Sequence, residues 1–223
     1  GGIIAETYGT GTITVDNVWA NHYVNPQWAG GAYVGGIVGS NSNTELKLNI
    51  SNALYTGRMA GTVAGESFVG GLIGASLNKP VTTITDSLAA GNILLLHGGA
   101  TGTMYAGSLI GSKSWTEENT VMTDVYATEN CFPVGEVVDG NVAATDKNYG
   151  TIREDQSFAS GVKVVKTEDI LGELAKKNAP GLDYKKVWMT VVEDVPHLQN
   201  PASGEPTPEP STEADKTEVD ISW

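Results

Sequence analysis

Basic residues are scarce in this chain: 13 Lys and Arg stand against 26 Asp and Glu over 223 residues, a formal net charge of −13. That balance excludes a basic surface able to track phosphates, so neither nucleic-acid binding nor adhesion to anionic lipid is expected. Cysteine is nearly absent. Cys131 alone excludes an internal disulfide and makes no zinc site without partners of suitable spacing, and it leaves the compartment undecided. Phenylalanine is rare, and the aliphatics come in short runs. No stretch approaches the ~18 apolar residues of a membrane span, so this segment is not expected to insert into a membrane. No leader peptide opens the chain. It begins directly on Gly1-Gly2-Ile3-Ile4 and reads as a segment of a longer protein.

What the chain does have is glycine, 28 residues of it, well above the ~7% of ordinary globular chains and without a collagen period. The glycines are phased. YVGGIVGSN at residues 33–41 recurs as FVGGLIGAS at 68–76 and as YAGSLIGSK at 105–113, and GGIIAET at 1–7 reads as the same motif without its front. The first glycines, Gly1, Gly35, Gly70 and Gly107, are 34, 35 and 37 residues apart. A second motif follows in each copy: TVDNVWAN (14–21), NISNALYTG (49–57), TITDSLAAG (83–91) and VMTDVYAT (121–128). An Asn or Asp holds one position throughout, as Asn17, Asn52, Asp86 and Asp124.

Each copy predicts at least two short strands separated by polar turns such as residues 40–43. In the second motif the alternation places Ile50, Asn52 and Leu54 on one face and Ser51 and Ala53 on the other, with Ile84, Asp86, Leu88 and Met122, Asp124, Tyr126 corresponding. One such repeat is too small to bury its aliphatics, whereas stacking like on like buries them and pairs the strand edges in the same step. The expected fold is therefore mainly β: a parallel β-helix or β-solenoid of four repeats over residues 1–142. The Asx row is expected to hydrogen-bond turn backbone or the next repeat. Its alternative, a carboxylate row that binds calcium or cleaves sugar, is weakened because two of its four members are Asn.

Residues 143–199 read as a C-terminal cap. A helix is expected over 167–178, with Thr167 as N-cap, an apolar stripe of Ile170, Leu171, Leu174 and Ala175, and a stop at Pro180. It would cover the open end of the stack or pack on its flank. Residues 187–192 read as one closing strand, followed by 195–198. Residues 200–223 are acidic and proline-rich, an extended linker. Ile221-Ser222-Trp223 at its end reads as the start of a further module.

The G-G-[IL]-[IV]-G segments, Gly35 to Gly39, Gly70 to Gly74 and Gly107 to Gly111 (Ser108 replacing the second glycine of the last), resemble the GLUG motif. That motif recurs in large bacterial surface proteins and in the N-terminal regions of immunoglobulin A peptidases. The W-x7-P-x-L close from Trp188 to Leu198 is similar to the segment ending such arrays, and the resemblance covers roughly residues 1–200. It implies a β-helix-like stalk of a secreted or cell-surface protein of a Gram-positive bacterium. It does not imply proteolysis, because His22, His97 and His197 form no HExxH motif.

An enzyme is not expected. A β-helix can cleave polysaccharides, and Asp86, Asp124, Glu117, Glu118 and Glu129 could approach one another after stacking, but no activating partner is evident. Gly98-Gly99-Ala100-Thr101-Gly102 lacks the Lys-Ser/Thr of a phosphate loop. No catalytic residue, cofactor or metal site is assigned. The expected role is a structural or adhesion module, extracellular or at the cell surface, that projects or positions neighbouring domains of the same chain. The alternative is a module binding host glycan or host protein through loop aromatics, with Trp28, Trp115 and Tyr23 as candidate ligand-binding residues. Trp19, aligned with Leu54, Leu88 and Tyr126, reads as core.

Overall fold

A computed structural model of the chain describes residues 2–25, 27–28, 31–63, 65–78, 80–97, 104–111, 118–131, 134–137 and 162–199. The first repeat carries β1 (Ile4–Thr7), β2 (Gly11–Ala20), β3 (Tyr23–Val24) and β4 (Gln27–Trp28). The second carries β5 (Tyr33–Gly35), β6 (Val38–Asn41), β7 (Leu46–Tyr55) and β8 (Arg58–Val63). The third repeats this as β9 (Ser67–Gly70), β10 (Ile73–Ser76), β11 (Val81–Ala89) and β12 (Asn92–His97). The fourth has β13 (Met104–Gly107), β14 (Thr120–Thr128) and β15 (Val134–Val137). A last strand of the stack, β16 (Val162–Val165), follows.

The fold is mainly β, and consecutive repeats pair strand on strand in parallel. The longest sheet runs β16-β14-β11-β7-β2. Its register matches like with like: Val15, Ile50, Ile84 and Met122 face one another in turn, as do Trp19, Leu54, Leu88 and Tyr126. The glycine motif does the same, with Gly35, Gly70 and Gly107 in one column and Tyr33, Phe68 and Tyr105 in another. Parallel pairing requires a long crossover between partners, and here the rest of each repeat supplies it.

The Asx position corrects the expected alternation. Asn17, Asn52, Asp86 and Asp124 all have left-handed backbone, with φ of 53°, 49°, 48° and 51°. Asn and Asp reach that region at less cost than other residues bearing a Cβ, because their short polar side chains bond locally. One such residue acts as a bulge and shifts the parity of the strand. Ile50 therefore shares its core with Ala53 and Tyr55, while Leu54 joins a second core on the opposite face. Met122 with Val125 and Ala127, against Tyr126, repeats the pattern.

The second glycine of each pair is a stacking requirement. A Cβ at Gly36 would collide with the carbonyl oxygen of Gly71, and one at Gly71 with that of Ser108. Ser108 takes this position in the last copy of the motif, beyond which no further copy stacks among the described residues. Side chains are thus excluded by the repeat that follows.

The C-terminal segment packs on the flank. It comprises a 3-10 turn (Thr167–Ile170), helix α1 (Leu174–Asn178) and an antiparallel hairpin of β17 (Trp188–Val191) and β18 (Asp194–Leu198). Ile170, Ala175, Ala179, Leu182, Trp188, Val195 and Leu198 close over Leu54, Leu88 and Tyr126, forming the second core. The continuous helix expected over 167–178 is interrupted at Gly172, whose φ is +56° and whose N–H donates to the Asp194 carbonyl at 2.9 Å. Thr167 is the first residue of the 3-10 turn and not a cap, its N–H donating to Glu129 Oε2 at 2.7 Å. Leu174 leaves the apolar stripe and is exposed, because the break rotates α1 relative to the turn before it. The single closing strand is instead a hairpin, turned at Glu193 with φ 60°. The expected linker at 200–223 lies outside the described residues.

Candidate functional site

Of the three aromatic candidates, Tyr23 is the one whose side chain can be placed. It lies on β3, paired with Arg58 of β8, while the neighbouring Val24 packs against the first core. The Tyr23 ring is 56% exposed, its hydroxyl 3.4 Å from the Ala60 carbonyl and the Arg58 guanidinium 6.0 Å from its centroid. The guanidinium lies over the ring at the outer limit of a cation–π contact. Trp28 pairs through its backbone with Val63, five residues along β8 from Arg58. At ~3.3 Å per residue the backbones of the two candidates stand about 16 Å apart along the strand. Trp115 lies outside the described residues.

An aromatic column that sequence reasoning missed stands on a different sheet. Tyr33, Phe68 and Tyr105 are in register on β5, β9 and β13. Phe68 and Tyr105 stack with centroids 4.9 Å apart and planes 10° apart, and Tyr33 tilts against Phe68 at 5.6 Å. Phe68 is buried, but Tyr33, at the end of the column, is 48% exposed. The signal was present in the first letter of each repeated motif, always Tyr or Phe. Trp19 is indeed packed, though against the second core, with its Nε1–H donating to Thr56 Oγ1 at 2.8 Å and its ring 4.4 Å from that of His197.

The carboxylate candidates resolve into separate places. Asp86 and Asp124 occupy matching positions on β11 and β14, flanked by the register pairs Thr85↔Thr123 and Ser87↔Val125. Burial, then the like charges of Asp124 and Asp183, hold the Asp86 carboxyl above the ordinary aspartate value. Gly181 of the C-terminal segment abuts Asp124 so closely that a Cβ there would collide with the carboxylate. Its N–H donates to the Tyr126 hydroxyl at 2.8 Å. The upper end of this row is therefore roofed by backbone and does not open on a cleft. At its lower end Asp16 Oδ1 accepts from Ser51 Oγ at 2.6 Å and from Asn52 Nδ2 at 2.9 Å, bonds between repeats that tie side chain to side chain, not to turn backbone. Glu129 is engaged by the Thr167 N–H, Glu118 is exposed, and Glu117 lies outside the described residues. Among the described residues, no group of three or more His, Cys, Asp or Glu is placed to hold a metal ion.

Two further polar features are internal. Thr7 Oγ1 donates to Asn41 Oδ1 at 2.9 Å and Asn41 Nδ2 to Thr82 Oγ1 at 3.3 Å, a buried ladder crossing three repeats. Cys131 is fully buried in the first core, and burial pushes its thiol up to about 12, so it is protonated at neutral pH and a poor nucleophile. No helix among the described residues is long and apolar enough to cross a membrane. Comparison of the chain with protein-family models, with curated proteins and with solved structures finds no match.

Proposed function

We propose that this chain is a β-solenoid segment with a non-catalytic structural or adhesive role in a large secreted or cell-surface bacterial protein, of the kind its GLUG-like motifs suggest. What carries this reading is the use to which the recurring residues are put. The glycines admit the next repeat's backbone, the aliphatics fill the first core, and the Asx residues turn the strand toward the second. Chemistry would leave a recurrent or clustered set of groups with no packing duty, and the repeated positions have such duties already. At ~4.8 Å per layer, the five strands of the longest sheet span only about 19 Å. A segment of this length therefore acts as a rigid block that orients its neighbours more than as a long spacer.

Ligand binding is the second reading, favoured by the rings of Tyr23 and Tyr33, which together with Tyr8 are the exposed aromatic side chains among the described residues. Planar rings of this kind suit the apolar face of a sugar or an extended peptide of a host protein. Glycan-array and host-protein screens separate the two roles. The structural role predicts silence. A specific hit lost in Tyr23→Ala, Trp28→Ala or Tyr33→Ala would overturn it in favour of binding.

A further inference from the structure

His22 stands where the next two repeats have glycine. Ala20 pairs with Tyr55 and Tyr23 with Arg58, and Arg58 in turn faces Asn92, so His22 falls in one column with Gly57 and Gly91. A Cβ at Gly57 would strike the His22 carbonyl oxygen, and one at Gly91 the Tyr55 ring. In the first repeat the position bears an imidazole instead, packed against Tyr55 with centroids 5.7 Å apart. Gly2, on the chain leading into β1, lies so close over that ring that a Cβ there would meet Cε1. His22 Nε2 is buried without a hydrogen-bond partner among the described residues.

The groups around the ring offer no counter-charge. On β7, burial holds the Tyr55 phenol far above its ordinary value, and beside it the buried Cys131 thiol is pushed up to about 12, so both are neutral. On β8, Arg58 is a cation directed over the Tyr23 ring. On β1, Glu6 is exposed and accepts from the Tyr8 hydroxyl at 2.6 Å. Burial first, then the positive amino terminus, hold His22 below the ordinary histidine value, and among the described residues no carboxylate acts on it. An imidazolium in this seat is a buried, unpaired charge, and it is relieved only by leaving. What it leaves behind is thinly held: β1 pairs with β6 alone, through Ile4, Glu6 and Thr7, and Ile3 ahead of it is exposed.

We propose that His22 is an acid-released latch for β1. Neutral, it seats Gly2 and the strand on β6; protonated, it frees them and opens the β6 edge, residues Val38–Asn41, to water or another strand. A base whose charged form is disfavoured in the fold stabilises above its unfolded value of about 6.5, and the contribution is lost as pH falls through that value. An exposed histidine is roughly 10:1 charged at pH 5.5 and 1:10 at pH 7.5, which makes opening up to about tenfold more favourable in acid.

Amide hydrogen exchange of the full chain at pH 7.5 and 5.5, corrected for intrinsic rates, tests the latch. In the wild type, protection at residues 3–7 should fall about tenfold on acidification, while β10 keeps its own. In His22→Gln, which is polar but does not titrate, protection at 3–7 should be the same at both pH values, with β10 verifying the fold. An NMR titration of the wild type needs no variant: the His22 ring and the β1 amides should share one midpoint. Equal wild-type protection at both pH values overturns the proposal. So does an equal acid loss in His22→Gln, or a His22 ring that titrates while β1 stays protected.

Discussion

The left-handed backbone at Asn52 makes a prediction whose sign is opposite to that of an ordinary strand residue. Asn52 has φ 49° and donates from Nδ2 to Asp16 Oδ1 at 2.9 Å on the surface. Replacing it by Ala puts a Cβ in the left-handed region without a compensating polar side chain, at roughly 1–2 kcal/mol. The exposed hydrogen bond adds about 0.5–1 kcal/mol. Val is worse, since a β-branched side chain resists this region most, and the total reaches roughly 3 kcal/mol. Gly adopts the conformation freely and loses only the hydrogen bond and the entropy of its freer unfolded chain, roughly 1–2 kcal/mol together, still less than Ala. The expected order of stability is Asn ≥ Gly > Ala > Val. For a chain of this size each kcal/mol is worth about 2–4 °C in Tm. Urea denaturation at constant m-value measures it, with tryptophan emission as the probe, because Trp19 and Trp188 lie in the second core. Thr83, on the neighbouring strand β11 and without positive φ, is the control, where Val should be tolerated and Gly should be worst. If Asn52 follows the Thr83 order, the chain at this position is regular strand, and the division into two cores is wrong.

Asp86→Asn should stabilise the protein at neutral pH. A carboxyl held above its ordinary value contributes most below the unfolded value, and that contribution is lost as pH rises through the folded one. The variant's advantage should therefore be small near pH 4 and grow toward pH 7. It should reach roughly 0.2–1 kcal/mol, at the low end of that range because the site is partly exposed. A variant less stable than wild type at pH 7 refutes the like-charge row. Leu88→Ala, at a fully buried position of the second core, should cost roughly 2–4 kcal/mol and speed amide exchange in α1 and the β17–β18 hairpin more than in β10. Equal acceleration everywhere would mean that the flank segment is not held by that contact. Gly71→Ala should cost roughly 2–4 kcal/mol, since its Cβ meets the Ser108 carbonyl, while Ser108→Ala stays within about 1 kcal/mol. Similar losses for both, read from urea midpoints, would contradict the stacking explanation of the glycines.

Much of the strand layout was legible because the two motifs recur in phase. A repeat that cannot bury its own aliphatics has few options, and the register of Ile50 on Ile84 or Gly35 on Gly70 follows from matching like with like. The parity change was not legible, since Ile-Ser-Asn-Ala-Leu reads as plain alternation unless the Asn is given positive φ. That one dihedral conceals the second core, because plain alternation places Leu54, Leu88 and Tyr126 on the face of Ile50. The helix at 167–178 looked continuous because its apolar residues suit 3.6 periodicity, and Gly172, where the chain breaks, is tolerated inside many helices. Of the candidate site, Tyr23 could be recognised as an exposed ring. Tyr33 could not, because its exposure follows from its place at the end of the aromatic column on β5, which the repeat pattern alone does not reveal.

The central claim is that successive repeats stack in parallel and in register, and paired cysteines test it most directly. Thr12, Lys47 and Val81 are exposed and stand in one column on β2, β7 and β11, and the sole native thiol, Cys131, is buried. Neighbouring strands at ~4.8 Å lie within the Cα separation a disulfide accepts, whereas two layers, about 9.6 Å, do not. Under mild oxidation, Thr12→Cys/Lys47→Cys and Lys47→Cys/Val81→Cys should each close an intramolecular disulfide, and Thr12→Cys/Val81→Cys should not. Closure of the third pair, or failure of the first two in folded protein, would contradict the stack.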